Sequence, residues 1–186
     1  MATHVALLRG INVGGRNKIG MAGLRMAVSS LGYSDVSTYI QSGNVLFSTP
    51  ETDTTVLAQE IGEKIASTFV VNAGVVVVTR DQLAAILSQN PYPGEPNPKY
   101  VHVVFLGAEP DQALLDRIAA AGETAVAKGA RDSVTVRGRV MYLHTPDGYG
   151  TSDLSQAVMR ITVPVMGTAR NLATATRLLA LCDGAS

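Results

Sequence analysis

Residues 10 to 20 read Gly-Ile-Asn-Val-Gly-Gly-Arg-Asn-Lys-Ile-Gly, with Arg9 just ahead. Glycine lets a backbone turn tightly and present its N–H groups to an anion. Arg9, Arg16 and Lys18 supply positive charge, and Asn12 an amide. The stretch joins a strand pattern to a helical one, and a helix N-terminus adds favourable partial charge. Arg9, Asn12, Gly14, Gly15, Arg16 and Lys18 are therefore candidate ligands for a phosphate or another anion. No Gly-Lys-Ser/Thr follows at P-loop spacing, and the dinucleotide fingerprint GxGxxG is absent. The plainer alternative is a tight structural turn with solvated basic residues.

Three further polar groups carry candidates. Gln41, Ser42 and Asn44 surround an expected two-residue hairpin turn at Gly43-Asn44, where such residues also serve local hydrogen bonds. Pro146-Asp-Gly-Tyr-Gly150 is a turn in which Tyr149 could stack on a ligand, with Ser152 as a helix cap after it. Arg170 and Asn171 precede the last helix and could bind an anion or cap that helix. Antiparallel pairing of the first and third strands is expected to set Arg9 and Asn44 at opposite ends of the sheet, so that these motifs form separate sites.

Enzyme chemistry finds little support, and catalytic residues stay unknown. His4, His102 and His144 fall in strand patterns without metal-ligand spacing. No carboxylate pair stands out, and neither GxSxG nor CxxC occurs. No metal and no cofactor are implied. Cys182, the single cysteine, can form no internal disulfide, and its Leu-rich helical setting predicts a buried small hydrophobe.

The elements that must position these residues follow from periodicity. His4–Arg9 is apolar on both faces, as in a central strand. Met21, Leu24, Val28 and Leu31 mark a helix stopped by Gly32. Val36, Thr38 and Ile40 alternate with polar residues, Val45 and Phe47 share a face, and Pro50 ends that strand. Asp53 caps a helix bearing Leu57, Ile61, Ile65 and Phe69, and Val75–Thr79 is a strand. The order is β-α-β-β-α-β, the ferredoxin-like pattern.

Asp81 is expected to cap a short helix with Leu83, Ile86 and Leu87, and Asn90–Lys99 holds four prolines, marking a linker. The order then repeats. Tyr100–Leu106 is a strand, and Leu114, Leu115 and Ile118 mark a helix ended near Gly122. Thr124–Ala127 is read as a strand, and 134–143 as a hairpin turning at Gly138. Leu154, Val158 and Ile161 mark a helix. Val165–Arg170 is extended, and a final helix carries Leu172, Leu178, Leu179 and Cys182. The fold expected is α+β (an α/β plait): two tandem ferredoxin-like units, residues 1–80 and 100–186, joined by a connector, 81–99.

Hydrophobic residues make up 46% of the 186, charged ones 16%, and the net charge is zero. This suits a packed globular chain and not a disordered one. The absence of a basic excess makes nucleic acid an unexpected partner. No apolar run approaches a membrane span and no signal peptide is visible, so a cytoplasmic location is expected.

Leu8–Gly15 (LRGINVGG), Tyr39–Val45 (YIQSGNV), Tyr142–Gly150 (YLHTPDGYG) and Thr168–Asn171 (TARN) occur in one order along nearly the whole chain. Together they resemble the bacterial family known as domain of unknown function 1697. The resemblance implies paired α/β-plait domains and no particular activity. It also implies a Ser-Lys pair after the Gly-Tyr-Gly turn and Trp after Arg-Asn, where this chain has Ser152-Asp153 and Leu172. The leading functional reading is binding of a small anionic or phosphorylated ligand. An RNA-binding module, an unrecognised enzyme and a protein-interaction module are the alternatives. Oligomeric state stays open.

Overall fold

Strand β1 (His4–Arg9) has Val5 and Leu7 on one face and Ala6 and Leu8 on the other, and all four are buried. A strand buried on both sides belongs inside a sheet. In the computed structural model, which describes residues 1–185, β1 lies between β3 (Asn44–Ser48) and β4 (Gly74–Thr79), antiparallel to both. β2 (Ser34–Tyr39) pairs with β3, giving the order β2-β3-β1-β4. Helices α1 (Met21–Ser29) and α2 (Thr54–Phe69) turn Leu24, Val28, Leu57, Ile61 and Ile65 onto Ala6, Leu8, Val45, Phe47 and Val77. Each such side chain contributes about 1.5–3 kcal/mol by leaving water. α2 starts where expected, with Asp53 Oδ1 accepting from the Thr55 and Val56 N–H groups at 2.9 and 3.3 Å.

The same order recurs. β5 (Val101–Phe105), α4 (Gln112–Ala127), β6 (Ser133–Arg137), β7 (Val140–His144), α5 (Asp153–Ile161) and β8 (Thr168–Asn171) form an antiparallel sheet ordered β6-β7-β5-β8 with its own core. α3 (Arg80–Ser88) follows the first sheet and α6 (Leu172–Cys182) the second. The chain is thus mixed α+β, with two four-stranded antiparallel sheets and six α-helices among the described residues. One compact unit comprises Met1–Ala85 with the stretch from Arg177 on, and the other Ile86–Thr176. No helix is long and apolar enough to cross a membrane among the described residues.

Three local expectations need correction. α4 does not end near Gly122, and 124–127 is its last turn instead of a strand. The alanines around Gly122 keep the helix going, and Ala125 is buried in the second core. A Cβ on Gly122 would lie 3.4 Å from the Val134 side chain, an ordinary contact, so this glycine neither ends the helix nor is demanded by packing. Asp81 does not cap α3. Thr79 does: its Oγ1 accepts from the Gln82 N–H at 3.0 Å, and Gln82 Oε1 accepts from the Thr79 N–H at 2.9 Å, a reciprocal capping box. The β2–β3 turn is not Gly43-Asn44. Tyr39 pairs with Asn44, so Ile40–Gly43 make the connection and Asn44 begins β3. The Gly138 hairpin is as expected, Arg137 pairing with Val140.

Candidate functional site

The chain leaves β1 through a run of left-handed residues: Gly10 (φ 81°), Asn12 (54°), Gly14 (58°), Gly15 (76°) and Asn17 (50°). Glycine and asparagine are the residues that accept this region cheaply. The Arg16 N–H donates to the Val13 carbonyl at 3.0 Å and the Asn12 N–H to the Asn17 carbonyl at 3.1 Å. A small hairpin results, with successive left-handed glycines at its tip as a type I′ turn requires. Asn17 Nδ2 closes its base on the Gly10 carbonyl at 2.7 Å. Arg16 is exposed on this hairpin.

Asn12 ties the loop to the β2–β3 turn. Its Nδ2 donates to the carbonyls of Ile19 and Gln41, both at 3.0 Å, and its Oδ1 accepts from the Ile19 N–H at 2.9 Å. The expectation that Arg9 and Asn44 lie at opposite ends of the sheet is therefore wrong. In an antiparallel pair the end of one strand meets the start of the other. Leu7 pairs with Asn44, and the Leu8 N–H donates to the Gly43 carbonyl at 2.8 Å. Asn44 is wholly buried, its Nδ2 donating to the Tyr39 carbonyl and to Ser42 Oγ at 3.0 Å. Asn12 and Asn44 thus hold backbone together, while Ser42 stays exposed and Arg9 half-buried at the strand end.

Between loop and turn lies an open cleft of about 300 Å³ lined by Asn12, Gly15, Lys18, Ile19, Gly20 and Gln41. Lys18 is the one charged residue in that lining. A Cβ on Gly15 or Gly20 would meet nothing within 4 Å, so both glycines leave room above the backbone. α1 starts directly after Gly20, with no side-chain cap and no acidic residue in its first turn. An anion placed here would meet an ammonium group, uncapped helical N–H groups and the Gln41 amide. Ile19 and Gly20 join the lining beyond the sequence candidates, and the position of Gly20 just before the helical periodicity is the one sequence signal for it.

The remaining candidates lie in the second unit. Tyr149 opens a 3₁₀ turn (Tyr149–Thr151), and its ring stacks on His102 with centroids 3.8 Å apart. Arg170 is buried, its Nη1 donating to Thr168 Oγ1 at 3.1 Å and to the Ala169 carbonyl at 2.8 Å. Burial lowers its pKa to about 10, with Tyr149 acting in the opposite sense. Asn171 Oδ1 accepts from the Thr174 N–H at 2.8 Å, at the start of α6. Ser152 caps α5 as expected, accepting from the Ser155 N–H, and donates to buried Asp132 at 2.6 Å. Cys182 is buried, which pushes its thiol up to about 11.

His102 gives this unit a pH response. Burial lowers its pKa from 6.5 to about 4, and its Nδ1 has no hydrogen-bond partner among the described residues. As pH falls from 6.5 towards 4, the unfolded chain takes up the proton first. Stability from this residue is full above that window and lost through it, by at most about 3 kcal/mol. The expected result is a melting temperature that falls with acid in the wild type and falls less steeply in His102→Gln, read by calorimetry at stepped pH.

Two antiparallel sheets, each with its own helical layer, define the chain as a two-unit α+β protein with a cation-bearing cleft on the first unit. The chain belongs to the family described as "Protein of unknown function (DUF1697)", whose model matches residues 1–142. The Gly-rich loop and the β2–β3 turn lie inside that match, and Tyr149, Arg170 and Asn171 beyond it. No curated protein matches the chain. Among solved structures it is similar to the conserved bacterial protein SP0830 from Streptococcus pneumoniae, with 20% sequence identity, coverage of 97% of this chain and 98% of that one, and a TM-score of 0.72. That likeness speaks to the fold alone.

Proposed function

We propose that this protein binds a small anionic or phosphorylated ligand in the cleft between the Gly-rich loop and the β2–β3 turn. The observation that carries the reading is that Lys18 and Gln41, neither bonded to another side chain among the described residues, line one cleft over backbone left open by Gly15 and Gly20. Asn12 and Asn44 hold this backbone in place before any ligand arrives, which reduces the ordering needed on binding. Each unit is read as a ferredoxin-like plait, supported by the order β-α-β-β-α-β and by a first strand flanked by the third and fourth. A cytoplasmic location fits the single buried thiol.

RNA binding on the sheets is the weaker reading. Such modules stack bases on aromatic residues of an open sheet face. Here the β1 face bearing Val5 and Leu7 is buried, as are Phe105 and Tyr142 in the second sheet.

A thermal-shift titration of the full chain tests the proposal. A phosphorylated compound at one hundred times its dissociation constant stabilises by about 2.7 kcal/mol. Lys18→Met is expected to abolish the shift. Arg16→Ala is expected to keep it, because Arg16 stands on the hairpin outside the cleft lining. A shift that survives Lys18→Met, or none with any phosphorylated compound, refutes the reading.

A further inference from the structure

We infer that the ligand of this cleft is a small hydroxylated phosphomonoester without an aromatic ring, of the sugar-phosphate class; the inference rests on the anion-binding reading above. Charge sets the first limit. Lys18 is the one cation in the lining, a point charge suited to one phosphate group, whereas a triphosphate chain calls for several cations or a metal. Size sets the second. About 300 Å³ is at the lower end of small-molecule sites, so it takes a phosphate with a short carbon skeleton and not a dinucleotide.

Lining chemistry sets the third limit. No aromatic side chain lines the cleft, and bases are held largely by stacking. An adenine or uracil would gain little here over a plain polyol. The Asn12 amide is fully engaged with the backbone at Ile19 and Gln41, so it offers nothing to a ligand. Gln41 differs: its exposed side chain presents two N–H donors and a carbonyl acceptor. A hydroxyl both donates and accepts, and neighbouring hydroxyls can use both ends of one amide. Lys18 then holds the phosphate and Gln41 reads the hydroxylated skeleton.

The test is calorimetric titration of the full chain with inorganic phosphate, glucose 6-phosphate, gluconate and phenyl phosphate. Glucose 6-phosphate is expected to bind about ten-fold tighter than inorganic phosphate or phenyl phosphate, which carry no hydroxyl for Gln41, the advantage that two neutral hydrogen bonds supply. Gluconate, with hydroxyls and a carboxylate but no phosphate, is expected to bind more weakly. Gln41→Ala should bring glucose 6-phosphate down to the level of inorganic phosphate, while Lys18→Met removes binding of every phosphate. Both side chains are exposed, so unchanged melting temperatures show that the variants are folded. Phenyl phosphate or gluconate binding as tightly as glucose 6-phosphate, or Gln41→Ala leaving the preference intact, overturns the sugar-phosphate assignment and leaves the anion site standing. No binding by any probe, or binding indifferent to Lys18→Met, removes the anion site itself.

Discussion

Gly43→Ala is expected to lower the stability of the first unit by about 3 kcal/mol. Two effects add. Gly43 sits at φ 78°, in the left-handed region, where a Cβ costs about 1–2 kcal/mol. A Cβ built there would also lie 2.7 Å from Leu8 Cβ and 2.9 Å from Ile11 Cδ1. Both neighbours are buried, at 1% and 2% exposure, and Leu8 Cβ is fixed to the central strand. Relief therefore requires movement of β1 or of the turn, and overpacking of this kind costs about 1–3 kcal/mol. Gly14→Ala is the control. It has φ 58° but nothing within 4 Å, so only the conformational part applies, about 1 kcal/mol. Urea denaturation followed by circular dichroism compares the two. Equal losses would show that Gly43 is not pressed against the sheet.

Asn12→Ala is the second large effect, about 2–3 kcal/mol. It removes two donations and one acceptance, leaving the Ile19 N–H, the Ile19 carbonyl and the Gln41 carbonyl without their partner. It also places alanine at φ 54°, where asparagine is better tolerated. Because the site is only half-buried, water recovers part of the loss, which keeps the figure below that of a core deletion. Asn12→Asp is a sharper probe. It retains the acceptor for the Ile19 N–H but turns a carboxylate oxygen towards two carbonyl oxygens. It is expected to be at least as destabilised as alanine at neutral pH, by the same urea measurement. A mild Asn12→Asp would mean that the amide does not bridge loop and turn. Both Asn12 variants should also weaken ligand binding, since the tie holds Gln41 across from Lys18.

The parts of the fold that periodicity dictates were legible. β1 is apolar on both faces and is central; Leu57, Ile61 and Ile65 share the buried side of α2; Asp53 caps it. The parts decided by distant neighbours were not. Gly122 reads as a helix stop until Ala125 beyond it is seen buried in the second core, and Gly43 reads as a turn tip until Leu8 and Ile11 are seen beneath it. Asn44 reads as a polar turn residue but is wholly buried at the start of β3. The union of the loop and the turn follows from strand pairing and not from local pattern: in an antiparallel pair the end of β1 meets the start of β3. Correct antiparallel register alone would have placed Asn44 beside Leu7 and brought the two motifs together. The stacking of Tyr149 on His102 had no signal in the sequence, because neither residue's local pattern names the other.

The most direct measurement is an NMR titration of the ¹⁵N-labelled chain with glucose 6-phosphate, following backbone amide shifts. The expected result is saturable change concentrated at Gly15, Lys18, Ile19, Gly20 and the first turn of α1, with Gln41 responding across the cleft and all of it lost in Lys18→Met. Saturable change centred on Tyr149, Arg170 and Asn171, or no saturable change anywhere at millimolar ligand, would contradict an anion site in the first unit.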